Sequence, residues 1–204
     1  MTATDDTERA HRQKMADVQA AHRARMKTKK SAEHGLLVVY TGHGKGKSTA
    51  AFGTILRALG WGHRVGVVQY IKGSWKTGER EFFKRFDDLV DWHTMGEGFT
   101  WDTQDRARDI AAATNAWEAS LAMLTSGDYD LVVLDELNIV LRYDYLPADE
   151  VAAGLASRHR RTSVIVTGRD AKPEIVADAD LVTEMTQIRH PFEAGIKAKQ
   201  GIDF

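Results

Sequence analysis

Between Gly35 and Leu59 the chain passes from a short apolar run, through a glycine-rich loop, into an alanine-rich segment with helical spacing. This succession restricts the fold more than any other stretch. Leu36-Leu37-Val38-Val39-Tyr40 is continuous, rich in β-branched residues and bounded by glycine, the pattern of a buried strand. Residues 50–59 carry apolar side chains at helical intervals. Between them stands Thr41-Gly42-His43-Gly44-Lys45-Gly46-Lys47-Ser48-Thr49. Glycines at 42, 44 and 46 allow backbone conformations closed to other residues and let successive N–H groups converge on an anion. The N-terminus of the following helix adds partial positive charge. The loop is therefore expected to hold the phosphates of a nucleotide. Lys47 reaches the outer phosphates, the Ser48 hydroxyl ligates Mg2+, and Thr49 supplies a further donor. One departure stands out: the usual pattern begins with glycine six residues before the lysine, where this chain has Thr41 followed by Gly42. A glycine-rich turn with incidental lysines would share the composition of the loop but would not require a strand before it and a helix after it.

Apolar runs of the same kind return at residues 64–70, 131–134 and 163–167, and more weakly at 181–185. Helix-length segments separate them, at 104–124 and at 146–157, where Pro147 suits a first helical turn. Strands apolar along their whole length and alternating with helices imply an α/β fold, with a mostly parallel sheet of five to six strands covered on both faces. With the phosphate loop, the expected architecture is that of a P-loop NTPase of the RecA-like kind. Residues 35–204 form this domain. Residues 1–34 are an extension rich in Lys, Arg, His and Ala, with too few large apolar side chains for a core of its own. Met15, Val18, His22 and Met26 fall near helical spacing, so the extension reads either as a weakly amphipathic helix that needs a surface to lie on or as a solvated tail.

A nucleotide site needs oxygen ligands for the cation that bridges the phosphates. The run Leu131-Val132-Val133-Leu134 ends in Asp135-Glu136, and either carboxylate could hold Mg2+, or Mn2+ in its place, directly or through water; taken without the loop, the pair is also an ordinary polar entry into a turn. The phosphate loop fixes the ligand class but leaves the chemistry open. Phe99 and Trp101 stand on a loop between Gly96 and what reads as a helix start at Asp102 or Thr103. Aromatics so placed either fold back onto the domain, which composition favours, or meet a large apolar partner. Residues 187–204 lack a helical or strand period; within them His190, before Pro191, reads as a turn residue, with a ligand to a metal or cofactor as the alternative.

Overall balance excludes other classes. A formal net charge of -1 and a sequence pI of about 6.7 point to neither nucleic acid nor an anionic membrane as partner. The absence of cysteine removes disulfides, zinc–thiolate sites and thiol catalysis, and fits a reducing, cytoplasmic setting. The N-terminus has no apolar core of the kind a signal peptide needs, and no run approaches the ~20 apolar residues that span a bilayer.

Taken in order, these motifs resemble the phosphate-loop type of corrinoid adenosyltransferase. The resemblance runs from Gly35 to Phe204. It rests on the phosphate loop, Gly98-Phe99-Thr100-Trp101, Val133-Leu134-Asp135-Glu136-Leu137, Thr167-Gly168-Arg169, and His190-Pro191-Phe192-Glu193-Ala194-Gly195-Ile196-Lys197-Ala198. The family more often has Thr at Ser48 and Asn or a similar residue at His43, departures compatible with phosphate and Mg2+ binding. The resemblance implies transfer of the 5'-deoxyadenosyl group of ATP to the Co(I) ion of a reduced corrinoid, with triphosphate leaving as one piece. Lys47 and Mg2+ would then offset charge building on the leaving group. It further implies that Phe99 and Trp101 pack on the corrin ring, against the fold-back reading, and displace the lower axial ligand so that a flavodoxin-like flavoprotein can reduce Co(II). Thr167, Gly168 and Arg169 would lie near the nucleotide, at a strand end where ligands of open α/β sheets gather. Residues 1–34 would form a helix folded over the active site of a homodimer.

Overall fold

A computed structural model describes residues 3–71, 77–94 and 105–203. The chain divides into two units, Met1–Glu33 and His34–Phe204. In the first, helix α1 spans Ala3–Lys27, free of Gly and Pro. Polar pairs one turn apart support it, Arg12 with Glu8 at 3.4 Å and Gln13 donating to Asp17 at 2.9 Å.

The second unit is a six-stranded, wholly parallel sheet in the order β3-β2-β4-β5-β1-β6. The strands are β1 (Leu37–Thr41), β2 (Val65–Gln69), β3 (Val90–Thr94), β4 (Leu131–Asp135), β5 (Ser163–Thr167) and β6 (Leu181–Glu184). The helices between them are α2 (Lys47–Leu59), α3 (Gly78–Phe83), α4 (Arg106–Ser126), α5 (Leu137–Arg142), α6 (Ala148–Ala156) and α7 (Pro173–Ala177). Central strands are apolar at successive positions because both faces are covered. On β4, Leu131 and Val133 join Ala51, Phe52 and Ile55 of α2 in one core, while Val132 and Leu134 join Leu124 of α4 and Val151 and Leu155 of α6 in the other. Each of these strand residues is buried, so neither face of β4 offers a polar alternation for the sequence to display.

This is the P-loop fold in its RecA-like order, with β5 standing between the strand that leads into the phosphate loop and the strand that ends in Asp135. Three adjacent strand ends, those of β1, β5 and β4, thereby open on the same side of the sheet.

Several boundaries differ from the sequence reading. β3 is not anticipated, because an edge strand buries only Val90 fully and leaves Asp91, Trp92 and Thr94 half-buried, breaking the apolar run. Trp92 still anchors it, stacking on Phe83 at a centroid distance of 5.8 Å. Pro147 caps α6 in an extended conformation with ψ of 126° and does not enter its first turn. Helix α4 starts after Asp105, whose carboxylate accepts from the N–H groups of Ala107 and Arg108 at 3.1 Å each. Asp102 and Thr103, the expected start, lie outside the described residues.

Candidate active site

The phosphate loop follows β1 and turns into α2 at Gly46, which takes a left-handed conformation with φ of 113°. Gly42 is likewise left-handed, with φ of 92°. A second constraint on the glycines is packing. A Cβ on Gly42 would lie 2.5 Å from the carbonyl oxygen of Met185, and one on Gly44 would lie 2.8 Å from the same atom. The backbone just past β6 therefore runs against the loop, and the Gly44 N–H donates to that Met185 oxygen at 2.7 Å. Thr41, the departure from the usual pattern, ties the start of the loop to two neighbouring segments. Its carbonyl accepts from the Met185 N–H at 2.9 Å, and its hydroxyl accepts from the Ala171 N–H at 3.1 Å. No left-handed residue is needed until Gly42, so threonine fits there and adds a tether.

Lys47 arches back over the loop, its ammonium donating to the carbonyls of Gly42 at 2.7 Å and Gly44 at 2.6 Å. Burial pushes its pKa below the ordinary lysine value and the positive charge of Arg169 adds to the effect, while Glu136 and Asp170 pull the other way. A cation kept partly desolvated among other cations gains most when an anion arrives.

The second wall comes from β4 and β5. Asp135 is fully buried, with Oδ2 accepting from the Gln69 side-chain amide at 2.9 Å and Oδ1 from the Thr167 hydroxyl at 2.8 Å. The Thr167 oxygen in turn accepts from the Glu136 N–H at 2.9 Å. Glu136 sits in a left-handed conformation with φ of 67°, unusual for a residue with a side chain, and this bond holds it. Glu136 lines a cavity of about 470 Å³. Gly44, Lys45, Gly46, Lys47, Ser48 and Thr49 line that cavity on one side, and Glu136, Thr167, Gly168 and Arg169 on the other. Gly42, His43 and Asp135 are expected site residues that do not line it. Gly42 is packed on Met185, His43 pairs with Asp170 at 3.0 Å, and Asp135 lies beneath Glu136.

The sequence does not mark Glu79, Arg142, Tyr143 and Asp203, which line the cavity together with the apolar Ile71, Ile139 and Ile202. Arg142 lies six residues past Glu136, at the end of a short helix, and nothing in its spacing marks it. Asp203 pairs with Lys45 of the loop from the far end of the chain, a contact only the fold can make. A second, mostly apolar cavity of about 450 Å³ adjoins the first and shares Thr49, Glu79 and Ile202 with it; Phe52, Leu56, Phe82 and Phe83 form its apolar walls. Phe99 and Trp101 lie outside the described residues. His190 is a cap: its Nδ1 accepts from the Phe192 N–H at 3.1 Å and starts a short 3-10 turn at Pro191–Ala194, in keeping with the turn reading.

The donor set suits Mg2+. This ion favours one or two carboxylates together with phosphate oxygens over an all-protein cage. Ser48 and Glu136, a hydroxyl and a carboxylate, line one cavity.

Residues 33–204 match the family described as ATP:corrinoid adenosyltransferase BtuR/CobO/CobP. The chain is 51% identical over 193 residues to a corrinoid adenosyltransferase of Pseudomonas aeruginosa, covering 90% of this chain and 95% of the relative. It is 50% identical over 196 residues to one from Sinorhizobium, covering 95% and 91%. Against the Escherichia coli K12 corrinoid adenosyltransferase the identity is 47% over 172 residues, covering 84% and 87%.

Proposed function

Since the chain belongs to the ATP:corrinoid adenosyltransferase family and uses ATP to adenosylate a corrinoid in cobalamin biosynthesis, we propose that its phosphate loop holds the leaving triphosphate of the reaction. The observation that carries the proposal is the concentration of Lys45, Lys47, Arg142 and Arg169 around one cavity faced by Ser48 and Glu136. In this reaction the Co(I) lone pair attacks C5' of the ribose, the C5'–O5' bond breaks, and its electron pair leaves on the triphosphate. Negative charge therefore grows at the phosphate end, where the cations and loop N–H groups are already placed. No side-chain nucleophile is required, and the protein's part is alignment and electrostatics.

Bound Mg2+ supplies further charge neutralisation on the triphosphate. Ser48 and Glu136 would hold it, with Asp135 buried beneath Glu136. Gly42, Gly44 and Gly46 give the loop its shape; Lys45, Lys47 and Thr49 contact phosphate oxygens; and Thr167, Gly168 and Arg169 close the nucleotide's other side. The adjoining apolar cavity favours a bulky, largely apolar second substrate beside the nucleotide. Phe99 and Trp101 pack on the corrin ring and displace the lower axial ligand, which makes Co(II) reducible by a flavodoxin-like protein. Residues 1–34 are an N-terminal extension to the domain of residues 35–204. A homodimer fits the apolar side chains exposed on the edge strand β6 and just beyond it, among them Leu181, Val182, Ile188 and Phe192. The cytoplasm is the setting we assign; among the described residues no helix is long and apolar enough to cross a membrane.

A rival use of the same loop is transfer or hydrolysis of the terminal phosphate. Incubation with ATP, Mg2+ and chemically reduced cobalamin is expected to yield triphosphate and a light-sensitive alkylcobalamin. ADP formed without any need for corrinoid would overturn the proposal.

A further inference from the structure

Asp170 follows Thr167-Gly168-Arg169 and takes a left-handed backbone conformation with φ of 56°. Its carboxylate is divided between two residues from different parts of the fold. Oδ1 lies 3.0 Å from Nε2 of His43 in the phosphate loop, and Oδ2 lies 3.0 Å from Nη1 of Arg142 at the end of α5. Arg142 lines the nucleotide cavity, whereas Asp170 and His43 do not. The carboxylate thus grips a cavity cation from outside the cavity. It also ties together the segments that follow β1, β4 and β5, the three strand ends that build the site.

Arg142 needs such a grip. It ends a helix of six residues, its side chain is about 43% exposed, and the ring of Tyr143 lies 5.6 Å from the guanidinium carbon. Without a fixed partner, a side chain so long and exposed loses rotamer freedom only when it meets ligand, which weakens the contact. We propose that Asp170 is a positioning residue that holds Arg142 as a further cation on the triphosphate of ATP and joins it to the phosphate loop through His43. This rests on the reading that the cavity holds triphosphate. The charge of Asp170 is also felt at Lys47, where it favours the charged ammonium, so the carboxylate belongs electrically to the same cluster.

The sign of one measurement separates positioning from mere proximity. An acid that only stands near a polyanion repels it, so its removal strengthens binding; an acid that positions a cation weakens binding when removed. Calorimetric titration of the full chain with tripolyphosphate and Mg2+ reads the difference. Asp170→Asn is the natural variant, since asparagine tolerates the left-handed conformation. An ion pair this exposed adds little to fold stability, so the variant is expected to fold. Arg142→Ala is expected to weaken binding about tenfold, the scale of one charge-assisted contact. Asp170→Asn should lose nearly as much, and the double variant should bind no worse than Arg142→Ala alone. Unchanged or tighter binding by Asp170→Asn, or additive losses in the double variant, would overturn the proposal. Should Asp170→Asn unfold, Arg142→Lys decides: it keeps the charge but not the forked geometry, so a loss near that of Ala supports the proposal and wild-type affinity overturns it. Failure of the wild-type chain itself to bind tripolyphosphate would instead sink the reading of the cavity, and the proposal with it.

Discussion

Replacing Thr167 by Val tests the link between the buried strand ends and the site. The two side chains have nearly the same shape, so the change removes a hydroxyl while creating almost no cavity. That hydroxyl donates to Asp135 at 2.8 Å and accepts from the Glu136 N–H at 2.9 Å, and Thr167 and Asp135 are fully buried. Losing a hydrogen bond to a charged carboxylate costs about 1.5–3 kcal/mol, and leaving the Glu136 N–H without its acceptor costs ~1–3 kcal/mol more. A total of about 2.5–6 kcal/mol is a large share of the ~5–15 kcal/mol that keeps a domain folded. At roughly 2–4 °C per kcal/mol for a chain of this size, the melting midpoint should fall by about 5–24 °C. Urea denaturation followed by circular dichroism measures the free energy, with Thr167→Ser as the control that keeps the hydroxyl. The bond also holds Glu136 in its left-handed conformation, so the Val variant should need more Mg2+ for half-maximal activity. A loss below about 1 kcal/mol in Thr167→Val would refute the reasoning, because it would mean that Asp135 and Glu136 do not depend on this hydroxyl.

Phe99→Ala and Trp101→Ala should impair activity that starts from Co(II) corrinoid while sparing activity that starts from pre-reduced Co(I), as only the former needs the axial ligand displaced; equal loss in both assays would count against their role. Burial, followed by the bond its hydroxyl donates to Asp91 at 2.8 Å, pushes the Tyr129 pKa up to about 12. A raised phenol pKa contributes stability that is fully present below the ordinary value of 10 and is lost as the pH climbs through about 12. Denaturation curves across that window should show the decline, and Tyr129→Phe should show less of it.

The parts of the fold legible in the sequence are those where one physical demand dominates. Central strands must be apolar on both faces, so β1, β2, β4 and β5 announce themselves. The phosphate loop needs glycines, a lysine and a hydroxyl in a row, and the order of residues records that need. β3 lies at an edge, where half its surface is free to be polar, and α3 and α5 are six residues each, too short for a period to show. The site follows the same division. Lys47, Ser48 and Glu136 are close in sequence to the motifs that reveal them. Arg142 and Asp203 reach the cavity by tertiary approach, and Asp170, though it follows Thr167-Gly168-Arg169, meets His43 and Arg142 only in the fold. Asp135 and Glu136, equivalent in the sequence, differ in burial: the first is walled in by Gln69 and Thr167, and the second lines the cavity. The glycines at 42 and 44 gain a reason that the sequence does not contain, the backbone of Met185 lying against them.

The central claim is that the loop grips a leaving group, so the bond that breaks lies at C5' and not between phosphates. ATP labelled with 18O at the O5' bridge tests it directly. Under turnover with Co(I) corrinoid, mass spectrometry should find the label retained in released triphosphate, one labelled triphosphate for each adenosylated corrinoid. Label recovered in ADP or AMP, with orthophosphate or pyrophosphate as the partner product, would contradict it.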